Sequence, residues 1–183
     1  MMHMPLFKRA WFVLVALLAG AAGASAPHAA WQVSSSSFVD GGKMPAKLTC
    51  DGANVSPEIR LPPPPAGTKS FAIVADDPDA PAAFAHWLAY AIPADTSELP
   101  EGASTPSRRL EHATEGINGF GRTGYGGPCP PAGQTHHYVF HIYALDTVPQ
   151  LPVGASEEQL NAAIEGHVLA EAQIVGTYAR GGD

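Results

Sequence analysis

Residues 70–81, SFAIVADDPDAP, combine an apolar strand with a rigid acidic turn that follows it directly. The first seven residues are a short apolar run of strand type. Successive side chains of a strand point to opposite faces, so Asp77 leaves the strand on the same face as Phe71 and Ile73. The sequence therefore predicts a carboxylate at the rim of a hydrophobic core.

The turn after this strand holds two carboxylates close together. Asp77 and Asp79 flank Pro78. Because the rings of Pro78 and Pro81 restrict the backbone, the two carboxylates are held in place with little loss of conformational entropy. Two carboxylates this close resist double ionisation unless a cation lies nearby, and His86 is the best candidate for that partner. The alternative is ordinary turn chemistry, because aspartate beside proline is common in turns.

Two further strands carry histidines at their entrances. Residues 87–93 form a strand with His86 just before it, and another strand begins at His136. In that strand His136 and Tyr138 share one face, whereas His137 lies on the other. We therefore expect His136 and Tyr138 to point inward and His137 to point elsewhere.

The C-terminal part predicts helix followed by strand. Ser156 and Gln159 form a capping box, and the helix that follows should end near Gly166. Residues 167–172 are predicted to continue as a second short helical piece. Residues 174–178 are predicted to form a closing strand.

A glycine-rich run, GFGRTGYGGPCPP, covers residues 119–131. Its glycines allow unusual backbone angles and expose N–H groups that could surround an anion. The run is not a nucleotide-binding loop, because it lacks the Lys-Ser/Thr ending and the helix that should follow. The alternative is an ordinary long connection between strands.

The DPDAP, His86-Trp87 and GPCPP segments, in that order, resemble the phosphatidylethanolamine-binding protein family. The resemblance is closest to its bacterial branch of Raf-kinase-inhibitor-like proteins (the YbhB/YbcL type) and runs from about Cys50 to Arg180. It implies a mainly β fold of two packed antiparallel sheets with short C-terminal helices. A high glycine and proline content and few charged residues also favour turns and short strands.

The resemblance also implies a pocket for phosphate-like anions and phosphorylated headgroups. We expect it to bind such a group without catalysis and without a cofactor. Carried over residue by residue, its ligand-binding positions are Asp77, Asp79, His86, Gly127, Pro130, His136 and Tyr138. Imidazolium and the tyrosine hydroxyl would donate to ligand oxygens. If His86 or His136 supplies that charge, affinity should rise as pH falls through about 6.5.

Two other functions remain open at the sequence level. A metal-dependent hydrolase could use Asp77, Asp79, His86 and His136, which are suitable ligand types, although no tight helical histidine pair is present. A surface-mediated interaction protein, such as a kinase- or protease-inhibitor-like regulator, would bind a protein client instead. A serine hydrolase is disfavoured because no Gly-x-Ser-x-Gly motif occurs.

Charge and length restrict the partners. The chain has 183 residues, which fits one domain, and a formal net charge of −7, which disfavours nucleic acid. Residues 1–26 have the basic start, apolar centre and small residues of a signal peptide, with cleavage after Ala24 or Ala26. We therefore expect a single domain over residues 27–183, exported to the periplasm, with no membrane span after cleavage. A homodimer is possible by analogy with bacterial relatives.

The two cysteines, Cys50 and Cys129, suit an oxidising compartment. An even count permits one disulfide, which would close a long loop. The alternative is two independent buried thiols, because the sequence does not show whether their Cα atoms are close enough to be bridged.

Overall fold

The computed structural model describes residues 31–181. Its strands are β1 (Gly42–Lys43), β2 (Ile59–Arg60), β3 (Ser70–Asp76), β4 (Ala85–Pro93), β5 (Glu98–Leu99), β6 (Thr114–Glu115), β7 (Thr135–Leu145) and β8 (Val168–Ala179). One α-helix, α1 (Glu157–Ile164), precedes β8, and a short 3₁₀ helix covers Ala46–Leu48. The predicted signal peptide lies outside the described residues. None of the helices described is long and apolar enough to cross a membrane.

Two sheets form the fold, which confirms the predicted mainly β class. The larger sheet has six strands in the order β1-β8-β7-β3-β4-β6, and all its neighbours are antiparallel except β1 and β8. The second sheet consists only of the antiparallel pair β2 and β5. The architecture is therefore one large sheet with a small companion.

The large sheet buries both faces. On one face Phe71, Ile73 and Trp87 pack in a core that includes Ile59 and Leu99 of the small sheet. On the other face Val74, Leu88 and Tyr90 pack with Leu160 and Ile164 of α1. Central strands buried on both faces contain few polar residues, which explains the continuous apolar run at the start of residues 70–81.

The capping box forms as predicted. The Ser156 hydroxyl accepts a hydrogen bond from the Gln159 backbone N–H at 3.2 Å, and the Gln159 side chain accepts from the Ser156 N–H at 2.9 Å. Helix α1 ends at Ile164, and Gly166 follows with a φ of +76°. Glycine adopts this left-handed angle without steric cost, so it ends the helix cleanly.

The prediction of helix over residues 167–172 was wrong. Strand β8 begins at Val168, and residues from Val168 to Ala179 pair with β7 along its whole length. Pairing with a long neighbouring strand outweighs the local helix preference of Leu169, Ala170 and Glu171, because propensity is a weak contribution beside tertiary pairing. The described residues therefore contain one C-terminal α-helix where several had been expected.

A disulfide joins Cys50 to Cys129, with the two Cα atoms 5.4 Å apart and a sequence separation of 79 residues. The alternative of two independent buried thiols is therefore wrong. The bridge connects the segment after the 3₁₀ helix to the proline-rich end of the glycine-rich run. It therefore restrains one wall of the region described next.

Candidate ligand pocket

The pocket lies at one end of the large sheet because β3 is antiparallel to both of its neighbours. The end of β3 is therefore adjacent to the starts of β4 and β7. This arrangement brings together Asp77, His86 and His136, which are far apart in the sequence. Topology thus assembles the site from the three segments that the sequence singled out.

Asp77 pairs with His136 in the interior. The two side chains are 7% and 8% exposed, and His136 Nδ1 donates to Asp77 Oδ2 at 2.7 Å. The other oxygen, Oδ1, accepts from the Asp79 backbone N–H at 2.9 Å. The expectation that His86 would be the carboxylate's partner was wrong, because the register of β7 against β3 places His136 there instead.

Asp79 forms a separate pair at the surface. Its Oδ2 accepts from the His137 backbone N–H and lies 2.7 Å from His137 Nδ1. The side chains of His137 and Asp79 are 56% and 41% exposed. The hydrogen bond with His137 holds the pKa of Asp79 below its usual value. Each carboxylate thus has its own histidine, and His137 points away from the interior as predicted.

His86 is a buried imidazole without a carboxylate contact. Its Nδ1 donates to the Gly126 carbonyl at 2.6 Å, since a carbonyl oxygen can only accept. Burial lowers the pKa of His86, which favours the neutral ring. In this tautomer Nδ1 carries the proton, so Nε2 of the neutral ring is an acceptor.

Aromatic rings surround His86. Phe84 and Tyr138 each lie 5.0 Å from it between ring centroids, and Phe120 lies at 5.5 Å. Tyr138 is buried, and its hydroxyl forms no hydrogen bond within the described part of the chain. Burial, together with the nearby charge of Asp77, raises the pKa of Tyr138. The hydroxyl is therefore a neutral donor beneath the pocket.

A cavity of about 520 Å³ opens over these groups, a volume in the usual range for small-molecule sites. Five of the seven predicted residues line it: Asp77, Asp79, His86, Pro130 and His136. Tyr138 lies beneath it in contact with His86. Gly127 lines a neighbouring cavity instead.

Gly127 has a close-packed environment that explains its place in the loop. A Cβ atom there would come within 2.2 Å of the Leu48 carbonyl oxygen, and the Gly127 N–H donates to Asn54 Oδ1 at 2.6 Å. Any side chain would force this segment apart. The glycine that contacts a predicted pocket residue is Gly126, whose carbonyl accepts from His86 Nδ1.

The lining residues that the predicted set left out include Phe84, Phe120 and Gln134. Gln134 Oε1 lies 3.3 Å from His136 Nε2, so it covers the second nitrogen of that ring. Gln134 and Phe84 each lie two residues before a predicted histidine. Each lies just before the strand that carries its histidine, so strand periodicity does not extend to it and no local signal marks it.

The predicted metal-ligand set does not converge. Asp77 and His136 form one pair, Asp79 bonds to His137, and His86 bonds to a backbone carbonyl. No group of three histidine, cysteine or acidic side chains in residues 31–181 is arranged to hold a metal ion. The geometry therefore gives the hydrolase alternative no support.

Comparison with known proteins identifies the family. Residues 34–179 match the family model described as phosphatidylethanolamine-binding protein. The chain belongs to the phosphatidylethanolamine-binding protein family. Family membership confirms the resemblance that the sequence motifs carried, and the solved structures below confirm the fold.

Relatives and solved structures agree with this assignment. A UPF0098 protein of Methanothermobacter thermautotrophicus is 46% identical over 79% of this chain and 95% of its own length. A phosphatidylethanolamine-binding protein homologue of Chlamydia trachomatis, CT736, gives a TM-score of 0.75 at 36% identity, covering 82% of this chain and 98% of that one. E. coli YbcL, a member of the same family, also gives 0.75, at 33% identity over 81% and 97%.

Proposed function

We propose that this family member binds a small phosphorylated or otherwise anionic group, of the phosphoethanolamine type, without transforming it. The observation that carries the proposal is the buried Asp77–His136 pair beside an uncharged His86 in one open pocket. Polar groups held in fixed positions within a largely apolar cavity are typical of small-molecule sites.

The pocket suits a ligand that both accepts and donates hydrogen bonds. His136 Nε2 lies beside the pocket at a long 3.3 Å contact with Gln134, and a ligand oxygen could replace that contact. His86 Nε2 accepts, so it favours a proton on the ligand. A protonated phosphate or an ammonium group carries such a proton, whereas a fully ionised dianion would also be repelled by Asp77 and Asp79.

The pocket is preformed, which supports binding at low entropic cost. Pro81, Pro130 and Pro131 line it, and their rings restrict the backbone. Cys129 lies in the same wall and is bonded to Cys50. A pocket held in this way does not need to order its walls when the ligand arrives.

Three features of the lining favour binding over catalysis. It contains no serine or threonine hydroxyl, and its one cysteine sulfur is in a disulfide. The carboxylate oxygens of Asp77 already accept hydrogen bonds from His136 and from the Asp79 backbone. No lining group described is therefore poised as an activated nucleophile.

Isothermal titration with phosphoethanolamine tests the proposal with a matched pair of variants. Asp77→Asn should weaken affinity about tenfold or more, because the buried pair loses its charge. Asp146→Asn is the control: Asp146 Oδ1 lies 2.7 Å from His167 Nδ1, at the opposite end of β7, in an exposed pair. Equal affinity for both variants, or no saturable heat in the unaltered protein, would contradict the proposal.

We further propose that the protein acts after export, where the pocket ligand could regulate contacts with a protein client or a second copy. The signal-like residues 1–26 and the Cys50–Cys129 disulfide support export, because disulfides persist in oxidising compartments. Fractionation of expressing cells tests the location. Recovery only from the cytoplasm, with both thiols free, would contradict it.

A further inference from the structure

A second cavity, of about 300 Å³, adjoins the pocket and shares Phe120 with it. We call it the Arg122 cavity; its polar side chains include Arg122, Thr123 and Asn54. The disulfide links the two spaces, since Cys129 lines the pocket and Cys50 lines this cavity. The two sites are thus neighbours with different chemistry.

The charge of the Arg122 cavity is opposite to that of the pocket. No aspartate or glutamate occurs among its described lining residues, although the whole chain carries a formal charge of −7. The guanidinium of Arg122 makes no ion pair or hydrogen bond with residues 31–181. By contrast, Arg60, Arg108 and Arg180 each lie within 3.4 Å of a carboxylate oxygen.

The backbone that carries Arg122 is held firmly by the buried side chain of Asn118. Asn118 Oδ1 accepts from the backbone N–H groups of Phe120 and Arg122 at 3.0 and 3.1 Å. Its Nδ2 donates to the Gly124 carbonyl at 2.8 Å. Through these three hydrogen bonds Asn118 holds the backbone of Phe120 beside the pocket and that of Arg122 beside the Arg122 cavity.

Two further side chains of the Arg122 cavity can donate hydrogen bonds beside the guanidinium. Asn54 Oδ1 already accepts from the Gly127 N–H at 2.6 Å, so the N–H groups of its amide remain for another acceptor. The Thr123 hydroxyl makes no hydrogen bond with the described residues. A cavity lined by an arginine, an amide and a hydroxyl, with no carboxylate, matches the acceptor-only surface of an oxyanion.

We propose that the Arg122 cavity is a second binding site, which takes a fully ionised oxyanion such as a phosphate, sulfate or carboxylate group. It is independent of the Asp77 pocket, which favours a group with a proton to donate. The volume suits a small group. Phe120 and Tyr125 supply aromatic walls beside these polar groups.

Inorganic sulfate is the probe that separates the two sites, because it carries no proton to donate near neutral pH. Amide chemical shifts of the protein are followed during sulfate titration, with sodium chloride adjusted to hold ionic strength constant. We expect saturable shifts at Thr123 and Gly127. Shifts that grow linearly without saturation, or that centre on His86 and His136, would overturn the proposal.

Two variants with the same change of charge complete the test. Arg122→Gln should weaken sulfate affinity about tenfold or more, because charge-assisted hydrogen bonds are lost. Lys69→Gln is the control, because Lys69 is exposed and lines neither cavity. An equal loss in both variants would reduce the effect to general electrostatics and contradict a site at Arg122.

The same titration distinguishes this proposal from the proposed function. Asp77→Asn should keep the sulfate response while losing phosphoethanolamine, and Arg122→Gln should do the reverse. Loss of the sulfate response in Asp77→Asn would show that the two spaces act as one site. That result would overturn the independent cavity while leaving the pocket's function in place.

Discussion

Three histidine–aspartate pairs in this protein have the same Nδ1–Oδ distance of 2.7 Å but different surroundings. The pair of Asp77 and His136 is buried, whereas those of Asp79 and of Asp146 are about half exposed. Exposed ion pairs contribute little because water screens them. The buried pair is costly to break and is fixed in geometry, so it is the one suited to a binding site.

The sequence-based hypothesis that His86 supplies an imidazolium to the ligand does not fit its surroundings. Burial lowers the pKa of His86, with the Gly126 hydrogen bond opposing that shift only partly. Its ring is therefore uncharged where an imidazolium was considered.

His141 gives a stability prediction on the opposite face of the sheet. Its Nε2 lies 3.5 Å from Asp76 Oδ1 and its Nδ1 lies 3.2 Å from Glu171 Oε1. The contact with Asp76, followed by that with Glu171, raises the pKa of His141 against the opposing effect of burial. Nearby Glu157 has a raised pKa, from burial and then from the charge of Asp76.

A raised histidine pKa stabilises the fold at low pH. The contribution is fully present below the unfolded value of about 6.5 and is lost as pH rises through the folded value. His141→Gln should therefore cost roughly 1 kcal/mol at about pH 5.5 and much less at about pH 8.5. Urea unfolding at both pH values measures this. The same loss at each pH would show that His141 acts through packing alone.

At the scale of elements, strands and helix with strong local signals were predictable. The apolar run of β3, the strand over residues 87–93 and the capping box of α1 formed as the sequence indicated, although β4 begins at Ala85 and so includes His86. The first half of β8 was not predictable, because its pairing partner β7 is over twenty residues away in sequence. Local propensity does not contain that information.

For the pocket too, local motifs predicted residues but not the contacts between them. Their motifs marked Asp77 and His136 as candidate pocket residues, and both line the cavity. Their partnership was not predictable, since it depends on the register between β3 and β7. The carbonyl of Gly126 reaches His86 across a separation of 40 residues, and no local pattern specifies that contact.

The disulfide gives a prediction at this scale. Replacing Cys50 and Cys129 by serine frees a segment with a sequence separation of 79 residues and should cost up to about 4 kcal/mol. Phosphoethanolamine affinity should fall as well, because Cys129 lies in the pocket wall. Urea unfolding and titration measure the two effects. The control is the unaltered protein in reductant, which should match the double variant in stability and affinity. Unchanged affinity in both would contradict a role for the disulfide in shaping the pocket.

At the scale of the whole molecule, the two cavities supply local anion-binding groups on a chain whose net charge is negative. A net charge of −7 repels anions at long range. Anion binding must therefore come from local groups: a buried aspartate–histidine pair in one cavity and a guanidinium in the other. The antiparallel sheet makes this possible by bringing three strand ends together, while the disulfide and prolines hold the loops around them.

A crystal structure of the protein grown with phosphoethanolamine would show directly whether the Asp77 pocket holds the ligand. The account predicts the ligand in the pocket, with one of its protons donated to His86 Nε2 and an oxygen near His136 Nε2. An empty pocket at a concentration that saturates in titration, or the ligand bound away from Asp77, His86 and His136, would contradict it.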